Sequence, residues 1–191
     1  RWMTQQGNGR FEVIPLRQNE AIIETVLNRH VRVATHRACQ SLSDMTETTV
    51  LQRAHLEIEQ IYGRATVGGW LQWADTLLLM ARQTAADHGP EETAYQFYKL
   101  HMPLRLETTR PGVWRGPQFI SLDQQPYELL KKLFELEGKP ASQLLIDLAG
   151  STANLNTMAS RLRKEIEPFP RKNLYIHNRR DQGYWLENFA L

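Results

Sequence analysis

Residues 154 to 187 constrain the fold more than any other stretch. Leu155, Ala159, Leu162 and Ile166 step by four, three and four, which aligns them as one apolar stripe on a helix running from about Asn154 to Glu167. Pro168 stops that helix. Two extended segments follow, Leu174 to His177 and Tyr184 to Glu187, joined by a tip containing Arg179, Arg180, Asp181, Gln182 and Gly183. One striped helix and one short hairpin cannot stand alone in water, so both must fold onto upstream elements.

The preceding sequence supplies those elements. Asp123 caps a helix reaching Glu137, with Tyr127, Leu130, Leu133 and Phe134 on one face and Gly138 as its stop. A shorter helix spans Ser142 to Ala149 and ends at Gly150. Before them lie short strand-like pieces, Leu104 to Glu107, Val113-Trp114 and Phe119 to Leu122, separated by Pro111-Gly112 and Gly116-Pro117. Three helices followed by a β-hairpin make a winged helix-turn-helix with a small antiparallel sheet. The first hundred residues read differently. After a strand-like Phe11 to Leu16, helical spacing predicts helices over Asn19 to Ala38, over Met45 to Tyr62 with Ser43 or Asp44 as cap, after Gly68-Gly69, and after His88-Gly89-Pro90. The texture changes near Pro103. The expectation is a mainly α chain: a helical domain over residues 1–102, then an α+β winged helix over 103–191.

Composition limits the function classes. Of 191 residues, 41% are hydrophobic and 23% charged, which excludes disorder, collagen and coiled coil. Cys39 has no partner cysteine, so a disulfide scaffold is excluded and a cytoplasmic location is expected. The apolar run near Leu77 to Ala81 falls far short of a membrane span, and no signal peptide opens the chain. A start at Arg1 rather than Met suggests a longer polypeptide. Residues 1 to 100 carry ten Lys/Arg and eleven Asp/Glu, whereas residues 101 to 191 carry thirteen and ten. The small basic surplus therefore lies in the second half.

That surplus bunches on the striped helix and the tip. Opposite the stripe stand Asn156, Thr157, Ser160, Arg161, Arg163 and Lys164, with no acid until Glu165. Such side chains donate to phosphates and read base edges when a helix lies in a major groove. Arg179 and Arg180 on a tight turn would enter a minor groove or meet the adjoining backbone. A solvated, merely soluble face is the plain alternative. Gly183 permits the turn, and Tyr184 packs beneath the helices.

The runs LDQQPYELLKKLFELEG, SQLLIDLAG, LNTMASRLRKEIEP and YIHNRRDQGYWLE resemble the C-terminal effector domain of OmpR/PhoB-type response regulators. That family shows an aromatic-x-Leu-Leu first helix, a recognition helix reading xxSRLRKxLEP and a wing reading YIxTVRGxGYxL. Here SRLRK spans Ser160 to Lys164, EP is Glu167-Pro168, and the wing residues fall on Arg180, Gly183 and Tyr184. The resemblance covers about the last ninety residues. It implies double-stranded DNA as partner, with contacts from Asn156, Thr157, Ser160, Arg161 and Arg163 of the recognition helix and Arg180 of the wing. A second copy of the chain is a further partner to consider, because winged-helix dimers read repeated half-sites. Gly150 to Asn154 is shorter than the family's turn and Ala149 replaces a tryptophan, which speaks against an RNA polymerase contact. Asp181 stands where the family prefers glycine, lowering the charge of the tip.

The N-terminal half has no receiver signature. RFEVIPL and IEQIYGRATVGGWLQWADTLLLMA resemble the helical lid of AAA+ and STAND-type NTPases, several of which end in a winged helix. Trp70 stands where the sensor arginine is usual, and no P-loop is present, Gly7-Asn8-Gly9 being too short. A dimerisation or effector bundle is the alternative. His55-Leu56-Glu57 with Glu59 is not HExxH, and the six histidines lack ligand spacing. No enzyme, metal or cofactor is expected from this chain; Cys39, read as helical, and the five tryptophans read as core. Two rivals remain: the C-terminal part of a larger ATPase, and a winged helix that docks a protein instead of DNA.

Overall fold

A computed structural model describes residues 2–5, 11–14, 20–83, 89–180 and 182–188. Its contacts divide the chain into two units, Arg1–Ala85 and Ala86–Leu191. The described residues are mainly helical, with three small antiparallel sheets. No helix among them is long and apolar enough to cross a membrane. Gly7-Asn8-Gly9, His88 and Asp181, each singled out by the sequence, lie outside the described residues, as do the last two residues of the expected strand Phe11 to Leu16.

In the first unit β1 (Trp2–Gln5) pairs antiparallel with β2 (Phe11–Ile14). Three helices follow: α1 (Glu20–Ala34), α2 (Thr48–Tyr62) and α3 (Val67–Gln83). Ile23, Leu27 and Val31 of α1 meet Leu42, Val50, Ala74 and Leu77 in one buried cluster. Gly69 sets the approach of α3 to α2, since a Cβ there would come within 2.6 Å of Ile58 Cγ2. The expected first helix stops four residues early. His36 and Arg37 adopt left-handed φ of 51° and 69°, and the Arg37 N–H bonds Arg32 O at 2.7 Å, so the chain reverses there. Cys39 consequently sits in a loop and not on a helix. The expected second helix starts three residues late. The Asp44 carboxylate accepts the N–H groups of Gln40 at 2.7 Å and Ser41 at 3.0 Å, closing a separate 3-10 turn over Leu42–Asp44. Those two donors hold the Asp44 carboxyl below the usual carboxylate range.

The second unit opens with α4 (Pro90–His101), where Pro90 takes the first turn and Glu91 and Glu92 suit the positive helix end. The sequence boundary at 102/103 assigned this helix to the N-terminal domain; the division falls at Ala85–Ala86, and α4 lies in the second unit. Its aromatics explain why. Tyr98 and Tyr95 pack on Phe169 at ring distances of 5.4 and 5.8 Å, and the Tyr175 hydroxyl donates to Met102 O at 2.6 Å. Burial pushes the Tyr175 phenol far above its ordinary pKa. Next come β3 (Leu104–Leu106), β4 (Gly112–Arg115) and β5 (Gln118–Ser121) in an antiparallel sheet of that order. Then follow α5 (Gln124–Glu135), α6 (Ser142–Ala149), α7 (Thr152–Ile166) and the hairpin β6 (Ile176–Arg179) and β7 (Gly183–Leu186). Leu129, Leu130 and Leu133 of α5, Leu145 of α6 and the stripe of α7 form the core beneath the hairpin.

Candidate nucleic-acid interface

The stripe of α7 is buried as the spacing requires: Leu155, Ala159, Leu162 and Ile166 are all at most 2% exposed. The Ser151 side chain caps the helix, accepting the Asn154 N–H at 3.2 Å. At the other end the buried Arg115 donates through Nη1 to Ile166 O at 2.8 Å and through Nη2 to Gln118 Oε1 at 2.7 Å. A cation at that end complements the helix dipole and satisfies a terminal carbonyl.

Three side chains, Glu167, Arg163 and Tyr184, fix the hairpin and its approach to the helix. The Glu167 carboxylate accepts N–H groups from Leu174 at 2.7 Å, Tyr175 at 3.0 Å and Ile176 at 2.7 Å. Arg163 turns toward the hairpin, donating through Nε at 3.2 Å and Nη2 at 3.0 Å to Ile176 O, with its guanidinium 5.4 Å from the centre of the Tyr184 ring. The Tyr184 hydroxyl donates to Asn156 Oδ1 at 2.8 Å. At the tip, Gln182 N–H bonds Arg179 O at 3.0 Å, and Gly183 follows with φ of 84°. A Cβ on Gly183 would come within 2.9 Å of Ser142 Cα, so only glycine lets the hairpin lie against the start of α6.

What the helix leaves outward is then well defined. Ser160, Lys164 and Thr157 lie opposite the stripe, and all are exposed. Thr157 Oγ1 bonds back to Ala153 O at 3.0 Å. Asn156 flanks them on the hairpin side. Arg161 flanks them on the other, in a shallow groove with Gln125, Ala149 and Asn154. Arg179 and Arg180 are exposed at the end of β6 and in the tip. None of Arg161, Lys164, Arg179 and Arg180 forms an ion pair among the described residues.

Of the eight residues picked from the sequence, seven are exposed, five along α7 and two at the hairpin tip. The eighth, Arg163, is half-buried and spent on a backbone carbonyl. Glu167, Arg115 and Tyr175, which position this face, were not picked; Glu167 had signalled only a helix end. Among the described residues no group of His, Cys, Asp and Glu is arranged to hold a metal. Neither a family model nor a curated protein matches the chain.

Proposed function

We propose that the second unit is a winged helix of the OmpR/PhoB kind that binds double-stranded DNA within a cytoplasmic bacterial transcription regulator. On this reading α7 lies in the major groove and the β6–β7 tip reaches the adjoining minor groove or backbone. Arg161, Lys164, Arg179 and Arg180 meet phosphates, while Asn156, Thr157 and Ser160 face base edges. Arg163 acts as a brace between helix and hairpin. The observation that carries the reading is the outward face of α7. It holds exposed hydroxyls and cations without acidic partners, and the hairpin that carries the two tip arginines is bonded to the same helix.

Titration of a fluorescent duplex at several salt concentrations tests it. The Arg161→Ala, Arg180→Ala protein should show a slope of log affinity on log salt smaller by about 2 than the parent, one phosphate each. Equal and salt-insensitive binding by both proteins would assign this face to a protein partner instead.

A further inference from the structure

A second basic site lies in the first unit, at the C-terminal end of α1. Arg29, Arg32, Val33, His36, Arg37 and Gln40 line one open cavity of about 600 Å³. Arg29 and Arg32 are three apart and share a helix side. The left-handed pair His36 and Arg37 turns the chain back, so that Arg37 joins them at the helix end. Gln40 holds this turn, its Nε2 donating to Arg37 O at 3.3 Å.

No carboxylate lines the cavity, and none of the three arginines forms an ion pair among the described residues. Arg32 gives only its Nε to Asn28 O, at 3.2 Å. One or two cations suit a helix C-terminus. Three around a single concavity repel one another, and a surface shaped for solubility alone intersperses both signs. Val33, 70% exposed, adds an apolar wall.

We propose that this cavity binds a small ligand carrying a diphosphate or polyphosphate group. Guanidinium forks match phosphoryl oxygens two at a time. A single carboxylate would leave two of the three cations unmatched, whereas linked phosphoryl groups engage all three. The volume lies in the range of small-molecule sites, and Val33 and the His36 ring offer a surface to the remainder of the ligand. The site is independent of the DNA face and gives the first unit a ligand of its own.

The test is a titration of the full chain with inorganic pyrophosphate at constant ionic strength, followed by NMR at the arginine Nε–H groups. Saturable shifts at Arg29, Arg32 and Arg37 are expected. Arg37→Lys keeps the charge but loses the fork, and should weaken binding about tenfold. Arg32→Gln with Arg37→Gln should abolish it, with circular dichroism unchanged. The Arg161→Ala, Arg180→Ala protein should bind pyrophosphate as the parent does, which separates this site from the DNA reading. Shifts that grow without saturation, or equal affinity in the parent and in Arg37→Lys, would overturn the proposal. So would saturation of these arginines by duplex DNA but not by pyrophosphate.

Discussion

Arg161 and Arg163 sit two positions apart on one helix and do different work. Arg163 spends two donors on Ile176 O, and charge-assisted bonds of that kind contribute about 1.5–3 kcal/mol each at most. Urea unfolding of Arg163→Ala should therefore show a loss of about 2 kcal/mol, against a change within about 0.5 kcal/mol for the exposed Arg161→Ala. Glu107 gives a second prediction at this scale. The N–H of Thr109, the Trp114 indole, the Thr109 hydroxyl and the Thr108 N–H all donate to its carboxylate, which brings its pKa down to about 2. A carboxyl depressed on folding adds stability above its unfolded value, near 4.5, that is lost as pH falls toward 2. NMR titration of the Glu107 carboxyl should accordingly give a midpoint near 2, and the Trp114 Nε1–H resonance should move with it. A midpoint near 4.5 would mean that the turn after β3 does not close on Glu107 in solution.

Among the elements, the hairpin is the most exacting. Gly183 has both a left-handed φ and a backbone neighbour at α6, so Gly183→Ala should cost about 1–3 kcal/mol in urea unfolding. Gly68→Ala, with open space around its Cβ position, should not. The helices were legible in the sequence because their apolar steps survive folding unchanged: α6 falls on Ser142 to Ala149 as read, and the stripe of α7 is buried residue for residue. The strands of the hairpin were legible to within a residue or two. Arg163 was not, because a cation next to an apolar stripe reads the same whether it meets water or a carbonyl thirteen residues on. The end of α1 was missed for a similar reason. Arg29, Arg32 and Arg37 span a helix and a left-handed reversal, and nothing in their spacing shows that they line one cavity.

For the molecule as a whole, the division at Ala85–Ala86 changes what counts as the smallest folding piece. Periodicity identifies Pro90–His101 as a helix but says nothing of which core receives it; Phe169 and Tyr175, the residues that do, lie some seventy positions downstream. A fragment from Ala86 to Leu191 should melt cooperatively, whereas one from Pro103 to Leu191 should unfold at markedly lower urea, having lost the partners of Phe169 and the acceptor of the Tyr175 hydroxyl. Equal midpoints for the two fragments would show that α4 adds nothing to that core.

That attachment has a mechanical consequence. Within the second unit α4 is a rigid rod about 18 Å long that ends at Met102, whose carbonyl is tied to Tyr175. Tyr175 also bonds to Glu167, the residue that closes α7. Two hydrogen bonds in series at Tyr175 thus splice the end of α4 to the foot of α7, so that neither can shift without straining the other.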